Sequence, residues 1–220
     1  MIRATRDLNI FIADDHAIVR HGIKTLLGKI SGVNIVGEAS NGRDAYEQAV
    51  KLNPDILVMD ISMPELNGLE VTTRISKENQ GIKIIILSMY SNEQYVVQAF
   101  RAGASGYVLK DSDVSELEMA VDTVSNGGLY ITPQLSSYLA SYIRDPGQRD
   151  EPLERLTSRQ REILQLVAEG STTKEIGAIL HLSEKTVETH RANLMKAIGA
   201  KDIAAVVRFA IRSGIISPDK

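Results

Sequence analysis

Five polar residues sit directly after short apolar runs. Asp14 and Asp15 follow Leu8–Ala13, Asp60 follows Ile-Leu-Val-Met, Ser88 follows Ile-Ile-Ile-Leu, and Lys110 follows Gly-Tyr-Val-Leu. Carboxylates held close together repel, and each raises its neighbour's pKa. A divalent cation removes the conflict; Mg²⁺ suits oxygen ligands and keeps positions for water and a phosphoryl group. A carboxylate beside Mg²⁺ can attack phosphorus and form an acyl phosphate. A lysine ammonium and a serine hydroxyl can then hold the phosphoryl oxygens. These residue types fit phosphoryl capture on Asp60. Each has a plainer reading alone: Asp15 could cap a helix, Asp14 could face solvent, Lys110 could be a solvated surface residue. Their recurrence at four of five expected strand ends is what points to a site.

The elements that must position them are legible in the first 125 residues. Apolar runs at 8–13, 33–39, 56–59, 82–87 and 106–109 read as buried strands. Amphipathic stretches near 17–29, 42–52, 68–78, 92–102 and 113–125 read as helices. Five βα units imply a parallel sheet covered by helices on both faces. Sheets of that kind carry their sites at the carboxyl ends of the strands.

Composition narrows the function classes. The chain has 220 residues, 43% hydrophobic and 24% charged, with no cysteine, which excludes disulfides, thiolate metal sites and a cysteine nucleophile. No apolar run approaches the ~18 residues of a membrane span, so no membrane partner is expected and the expected location is cytoplasmic. The net charge of -3 does not advertise nucleic-acid binding. Residues 150–220 nevertheless hold 11 Lys/Arg against 10 Asp/Glu, so any DNA contact must come from local placement of charge.

A break in texture divides the chain. Pro133, Pro146 and Pro152 are close together, and the stretch 147–151 has no apolar residue. The expected division is residues 6–127, a linker at 128–152 with a helix near 133–144, and a second domain at 153–215. The second domain reads as four short helices. Thr157 with Gln160 and Thr172 with Glu175 fit capping boxes, and Ser183 is a natural N-cap. In the helix after Ser183, Val187, Leu194 and Ile198 fall within about 40° of arc and form the buried stripe. Lys185, Thr189, Ala192 and Lys196 lie opposite, flanked by Glu188 and Asn193. That face fits a DNA major groove, where Lys meets phosphate or guanine, Glu accepts from cytosine and Thr contacts a thymine methyl. A solvated amphipathic helix gives the same pattern.

Two resemblances add to this reading. Asp14-Asp15, Asp60-Ile-Ser-Met-Pro-Glu-Leu-Asn-Gly68, Ser88, Tyr107 and Lys110 resemble the receiver domain of a bacterial two-component response regulator. The resemblance implies a flavodoxin-like α/β fold with five parallel strands in the order 2-1-3-4-5. It implies Asp60 as phospho-acceptor, and Mg²⁺ held by Asp15, Asp60 and the backbone carbonyl of Ser62, with Asp14 assisting directly or through water. Ser88 and Tyr107 would form a switch pair, and Lys110 would hold the phosphoryl group. Many receivers carry proline after that lysine; here Asp111 follows, which makes a cis peptide less secure.

The segments Leu156-Thr-Ser-Arg-Gln-Arg-Glu-Ile-Leu164, Gly170-Ser-Thr-Thr-Lys-Glu-Ile-Gly177 and Leu182-Ser-Glu-Lys-Thr-Val-Glu-Thr-His-Arg-Ala-Asn-Leu194 resemble the LuxR/NarL-type helix-turn-helix. The implied DNA contacts are Thr172, Lys174, Lys185, Glu188, Thr189, Arg191 and Asn193. The family often has Asn where Thr173 stands. Dimerisation through the last helix would involve Val207 and Ile211. Together the resemblances imply a phosphorylation-dependent transcription regulator. Its partners would be a sensor histidine kinase or a small acyl phosphate donor, inverted-repeat DNA, a second copy of the chain and RNA polymerase. No turnover enzyme role is expected. Aspartyl-phosphate hydrolases typically need a second aspartate two residues after the nucleophile, where this chain has Ser62. No Gly-rich nucleotide loop is present, so the phosphoryl donor must come from outside.

Overall fold

The computed structural model describes residues 7–78, 81–144, 153 and 155–216, so most of the prolines and glycine expected in the linker lie outside the described residues. The chain forms two compact units that divide after Pro146. Among the described residues no helix is long and apolar enough to cross a membrane.

The first unit is a parallel sheet with helices on both faces. Its strands are β1 (Leu8–Ala13), β2 (Val33–Ala39), β3 (Ile56–Met59), β4 (Lys83–Ser88), β5 (Gly106–Leu109) and β6 (Tyr130–Ile131). Their spatial order is β2-β1-β3-β4-β5-β6, and every pairing is parallel. Side chains alternate across a strand, and here each face gets its own apolar set. Leu8, Ile10, Ile12, Ile56, Val58, Ile85 and Val108 point to one side. There they meet Ile23 and Leu27 of α1 (Ala17–Leu27) and Leu117, Val121 and Val124 of α5 (Val114–Ser125). Phe11, Leu57, Met59, Ile84, Ile86 and Tyr107 point to the other. That side is covered by α2 (Gly42–Leu52), α3 (Gly68–Glu78) and α4 (Glu93–Ala102) through Ala45, Ala49, Val71, Ile75, Val96 and Ala99. Because both faces are covered, these strands read as continuous apolar runs in the sequence.

The five-stranded expectation requires one correction. The order 2-1-3-4-5 holds, but the short β6 extends the sheet beyond β5. Thr132 is buried behind it, and its Oγ1 accepts a hydrogen bond from the Leu109 N–H at 3.2 Å. A 3-10 turn at Pro133–Leu135 then leads into α6 (Ser136–Arg144), and Leu135 and Tyr138 pack onto the α2–α4 side of the core. The stretch 128–144, expected within the linker, is thus folded onto the first unit. Two residues of strand are too few to show a period, which is why the element is missed from sequence.

The second unit consists of α7 (Ser158–Ala168), α8 (Thr173–Leu180), α9 (Glu184–Ile198) and α10 (Ile203–Arg212). Both expected capping boxes form, at Thr157 with Gln160 and at Thr172 with Glu175. The core is Ile163, Leu164, Val167, Ile176, Leu180, Val187, Leu194, Val206 and Ala210. The turn between α8 and α9 depends on backbone contact. His181 takes a left-handed φ of 53°, and the Leu182 N–H donates to the Gly177 carbonyl at 2.9 Å. A Cβ at Gly177 would lie 2.8 Å from the Leu182 carbonyl oxygen, so the turn closes against bare backbone.

Candidate functional site

The carboxyl ends of β1, β3, β4 and β5 bring their polar residues together. Asp14 and Asp60 are buried, and Asp15 is mostly so. The Lys110 ammonium, 7% exposed, lies 2.7 Å from Asp14 Oδ2 and donates to Asp60 Oδ2 at 2.8 Å. The other Asp60 oxygen, Oδ1, accepts from the Ile61 N–H at 2.7 Å. Asp14 Oδ1 accepts from the His16 N–H at 2.8 Å, so Asp14 is turned inward to close the start of α1 and does not face solvent. Residue 16, not Asp15, holds the N-cap position of that helix.

Electrostatics in the pocket follow from burial against charge. Burial pushes the Asp60 carboxyl above the usual aspartate range; Lys110 pulls it back and Asp14 adds to the rise. Burial also works against the Lys110 ammonium, but Asp60 and Asp14 overcome it and lift its pKa above an ordinary lysine's. The lysine is therefore charged at neutral pH and meets two carboxylates. One ammonium against three carboxyl groups leaves the cluster short of cationic partners. Donor atoms from Asp14, Asp15, His16 and Asp60 all lie within 4.8 Å of one another, and the three carboxylates offer the hard oxygen ligands that Mg²⁺ selects. His16 is a member that sequence reasoning missed. Its Nδ1 stands 2.7 Å from Asp15 Oδ1, and the only signal in the sequence is adjacency.

The loop after β3 is shaped by Gly68. A Cβ there would fall 2.1 Å from the Asp60 carbonyl oxygen. The Gly68 N–H donates to the Ile61 carbonyl at 2.9 Å, folding 60–68 back on itself and fixing Asp60 at the mouth. Ser62 lies in this loop, and its hydroxyl bonds the Tyr90 hydroxyl at 3.0 Å. Ser88 is buried at the end of β4, where its Oγ accepts from the Tyr90 N–H at 3.2 Å. Tyr107 is wholly buried and its hydroxyl donates to the Tyr90 carbonyl at 2.7 Å. Burial raises that hydroxyl's pKa, so it stays a donor. Every peptide bond among the described residues is trans, Lys110–Asp111 included.

On the second unit, α9 divides as its sequence suggests. Val187 and Leu194 are buried and Ile198 is half-buried, while Lys185, Glu188, Thr189, Ala192, Asn193 and Lys196 are exposed. Thr189 Oγ1 donates back to the Lys185 carbonyl at 2.9 Å, on a residue that is itself exposed. Arg191 is half-buried, and its guanidinium donates to Thr173 Oγ1 at 2.8 Å, bracing α9 on α8. Lys174 is exposed, whereas the Thr172 hydroxyl is already engaged with Glu175 in the cap. Val207 and Ile211 are half-buried, and Ile203 is 41% exposed.

Comparison with known proteins agrees with both halves. The model of the response regulator receiver domain matches residues 10–122, and that of bacterial regulatory proteins of the luxR family matches residues 154–210. The chain belongs to the LuxR-family response regulators of two-component systems.

The regulator is 35% identical to the transcriptional regulatory protein DegU of Brevibacillus brevis, over 94% of each chain. It is 36% identical to the oxygen regulatory protein NreC of Staphylococcus carnosus, over 95% of this chain and 99% of that one. A solved complex of the response regulator RcsB with DNA superposes with a TM-score of 0.59 at 27% identity, covering 94% of this chain and 99% of the other. Both halves of the regulator thus have full-length counterparts in the same order.

Proposed function

We propose that the regulator receives a phosphoryl group on Asp60 and converts that event into a change in DNA binding. The observation that carries this reading is the meeting of Asp14, Asp15, Asp60 and Lys110 at the strand ends, with Lys110 shared between two carboxylates. An Asp60 carboxylate oxygen attacks phosphorus. The bond from phosphorus to the donor breaks: to imidazole nitrogen in a sensor histidine kinase, to oxygen in a small acyl phosphate. The donor leaves with the electron pair. Lys110 then turns its ammonium to the phosphoryl oxygens, and the Ser88 hydroxyl donates to them. Asp14, Asp15, Asp60 and the Ser62 carbonyl would hold Mg²⁺, which screens charge between the two anions as they meet. No carboxylate stands at residue 62 to activate water, so the acyl phosphate persists long enough to signal.

At the other end, Lys185, Glu188, Thr189 and Asn193 would face base edges in the major groove, with Lys174 and Thr172 near phosphate. Arg191 would reach the backbone from its place beside Thr173. The exposed Ile203 with half-buried Val207 and Ile211 forms an apolar strip on α10 suited to a second copy of the chain. A dimer would set two recognition helices about one duplex turn, roughly 34 Å, apart on an inverted repeat. RNA polymerase is the expected further partner, and the cell interior the expected site of action.

The test is direct. Acetyl phosphate with Mg²⁺ should add one acid-labile phosphoryl group by intact mass, and Asp60→Asn should abolish it. Labelling that survives this substitution moves the acceptor elsewhere.

A further inference from the structure

Four contacts converge on Tyr90, a residue with no part in holding the phosphoryl group. Its N–H donates to Ser88 Oγ at 3.2 Å, and its carbonyl accepts from the Tyr107 hydroxyl at 2.7 Å. The main chain of residue 90 is therefore bonded to both members of the switch pair, whose side chains also meet each other directly. Its side chain makes a second pair of links. The hydroxyl meets Ser62 Oγ at 3.0 Å, and the ring stacks on Tyr95 with centroids 4.1 Å apart and planes 6° apart. Tyr95 is buried in the first turn of α4, where its N–H donates to the Asn92 cap. Met89, one residue earlier, is 67% exposed, so the chain turns Tyr90 inward while its neighbour points to solvent.

These links run between parts that the switch must coordinate. Ser62 lies two residues past Asp60, and Tyr90 two past Ser88, so their hydroxyl contact bridges the ends of the neighbouring strands β3 and β4. A rearrangement of the loop after Asp60 pulls on the Tyr90 hydroxyl. A turn of Ser88 toward a phosphoryl group changes the acceptor of the Tyr90 N–H. Either displacement reaches Tyr107 through the carbonyl and α4 through the stacked ring. Packed cores respond to such shifts by moving between discrete arrangements.

We propose that Tyr90 is a positioning residue of the switch, joining the acceptor loop at Ser62 to Tyr107 and to the start of α4. The proposal rests on the reading of Asp60 as acceptor. Its output is the gain in DNA affinity on phosphorylation.

The experiment uses the full chain, Tyr90→Phe, Ser62→Ala and the double variant. Tyr90→Phe removes one hydroxyl and keeps the stack and both backbone bonds. Each protein is treated with Mg²⁺ and acetyl phosphate, the phosphorylated fraction is measured by intact mass, and affinity is compared at equal occupancy on DNA selected by the wild type. Tyr90→Phe should lose about threefold to tenfold of the phosphorylation-dependent gain, the worth of one net hydrogen bond, while lowering the melting temperature by only about 2–4 °C. Ser62→Ala should lose no more than Tyr90→Phe, whose hydroxyl also meets that of Tyr95, and the double variant no more than Tyr90→Phe alone, since both lack the Ser62–Tyr90 bond. A wild-type gain in Tyr90→Phe, or additive losses, overturns the proposal. A second readout is independent of phosphorylation. In chain labelled with fluorotyrosine, with the Tyr107 signal assigned through Tyr107→Phe, Tyr90→Phe and Ser62→Ala should both shift that signal. An unmoved Tyr107 signal rejects the link even where the wild type takes up no phosphoryl group; that failure of uptake rejects the Asp60 reading by itself.

Discussion

The Lys110 ammonium and the Asp60 carboxylate meet at 2.8 Å, both almost shut off from solvent. The contact is a compromise. Burial lifts the Asp60 pKa above its ordinary value in spite of the lysine, so the ionised form is held in the native state at a cost. Between the ordinary and the raised value, the folded chain binds more protons than the unfolded one. Stability from this group is therefore present at low pH and lost as pH rises through the folded pKa. Asp60→Asn should raise Tm at pH 7 by roughly 2–4 °C, equivalent to about 1 kcal/mol in a unit of this size. The advantage should shrink as pH falls through the raised carboxylate range. Thermal melts at stepped pH check the sign; a variant less stable at neutral pH contradicts it.

Divalent metal should act on the same imbalance from the other side. The cluster holds three carboxylates against one lysine, and a cation that binds only the folded chain stabilises it by mass action. At a Mg²⁺ concentration tenfold above Kd the gain is about 1.4 kcal/mol. Protons compete for the same oxygens, so the gain should fade on acidification, and at a higher pH than an ordinary aspartate would set. Asp15→Asn should weaken Mg²⁺ binding by tenfold or more. Calorimetric titration and Mg²⁺-dependent melting both read this out.

Two of the backbone crossings that glycine permits, one in each unit, should be intolerant of a methyl group. At Gly68 a Cβ would sit 2.1 Å from the Asp60 carbonyl, which cannot retreat without moving the acceptor. Gly68→Ala should cost about 1–3 kcal/mol in the first unit and slow phosphoryl uptake as well. Gly177→Ala, with its Cβ 2.8 Å from the Leu182 carbonyl, should destabilise the second unit and weaken DNA binding while leaving phosphoryl uptake intact. Uptake measured by mass, set beside DNA titration, separates the two.

What could be read from sequence divides along physical lines. Strands covered on both faces must be apolar at every position, so Leu8–Ala13 and Ile56–Met59 announce themselves and place Asp14, Asp15 and Asp60. The D-x-x-M-P-x-x-x-G stretch is legible because Gly68 answers to backbone geometry. On α9 a buried stripe of three residues is enough to orient the helix. Hidden elements depend on contacts remote in sequence. Tyr130-Ile131 becomes a strand only because β5 offers an open edge, and Leu135 is buried because it joins the core on the α2–α4 side. Tyr90 has no pattern around it at all; its role is visible only when Ser62, Ser88, Tyr95 and Tyr107 are seen around it. On α10, Val206 and Ala210 turn inward while Ile203, at the start of the helix, stays exposed.

DNA recognition should separate side chains that act by charge, by shape and by bracing. Lys185→Ala removes an exposed cation, and its loss should weaken binding across sequences and reduce the slope of affinity against salt by about one if it meets a phosphate. Glu188→Ala and Thr189→Ala should instead relax preference at particular base pairs, each costing about 1–3 kcal/mol on the selected site. Arg191 is different because its guanidinium already has a partner in Thr173. Arg191→Ala should lower the stability of the second unit by about 1 kcal/mol and also reduce DNA affinity. Thr173→Val breaks the same hydrogen bond and leaves the cation in place. It should reproduce the loss of stability while keeping most of the affinity, because the freed guanidinium can turn to a phosphate. Equal losses of affinity in Arg191→Ala and Thr173→Val would confine Arg191 to bracing α8 on α9, and DNA titrations at two salt concentrations with parallel melts decide between the two roles.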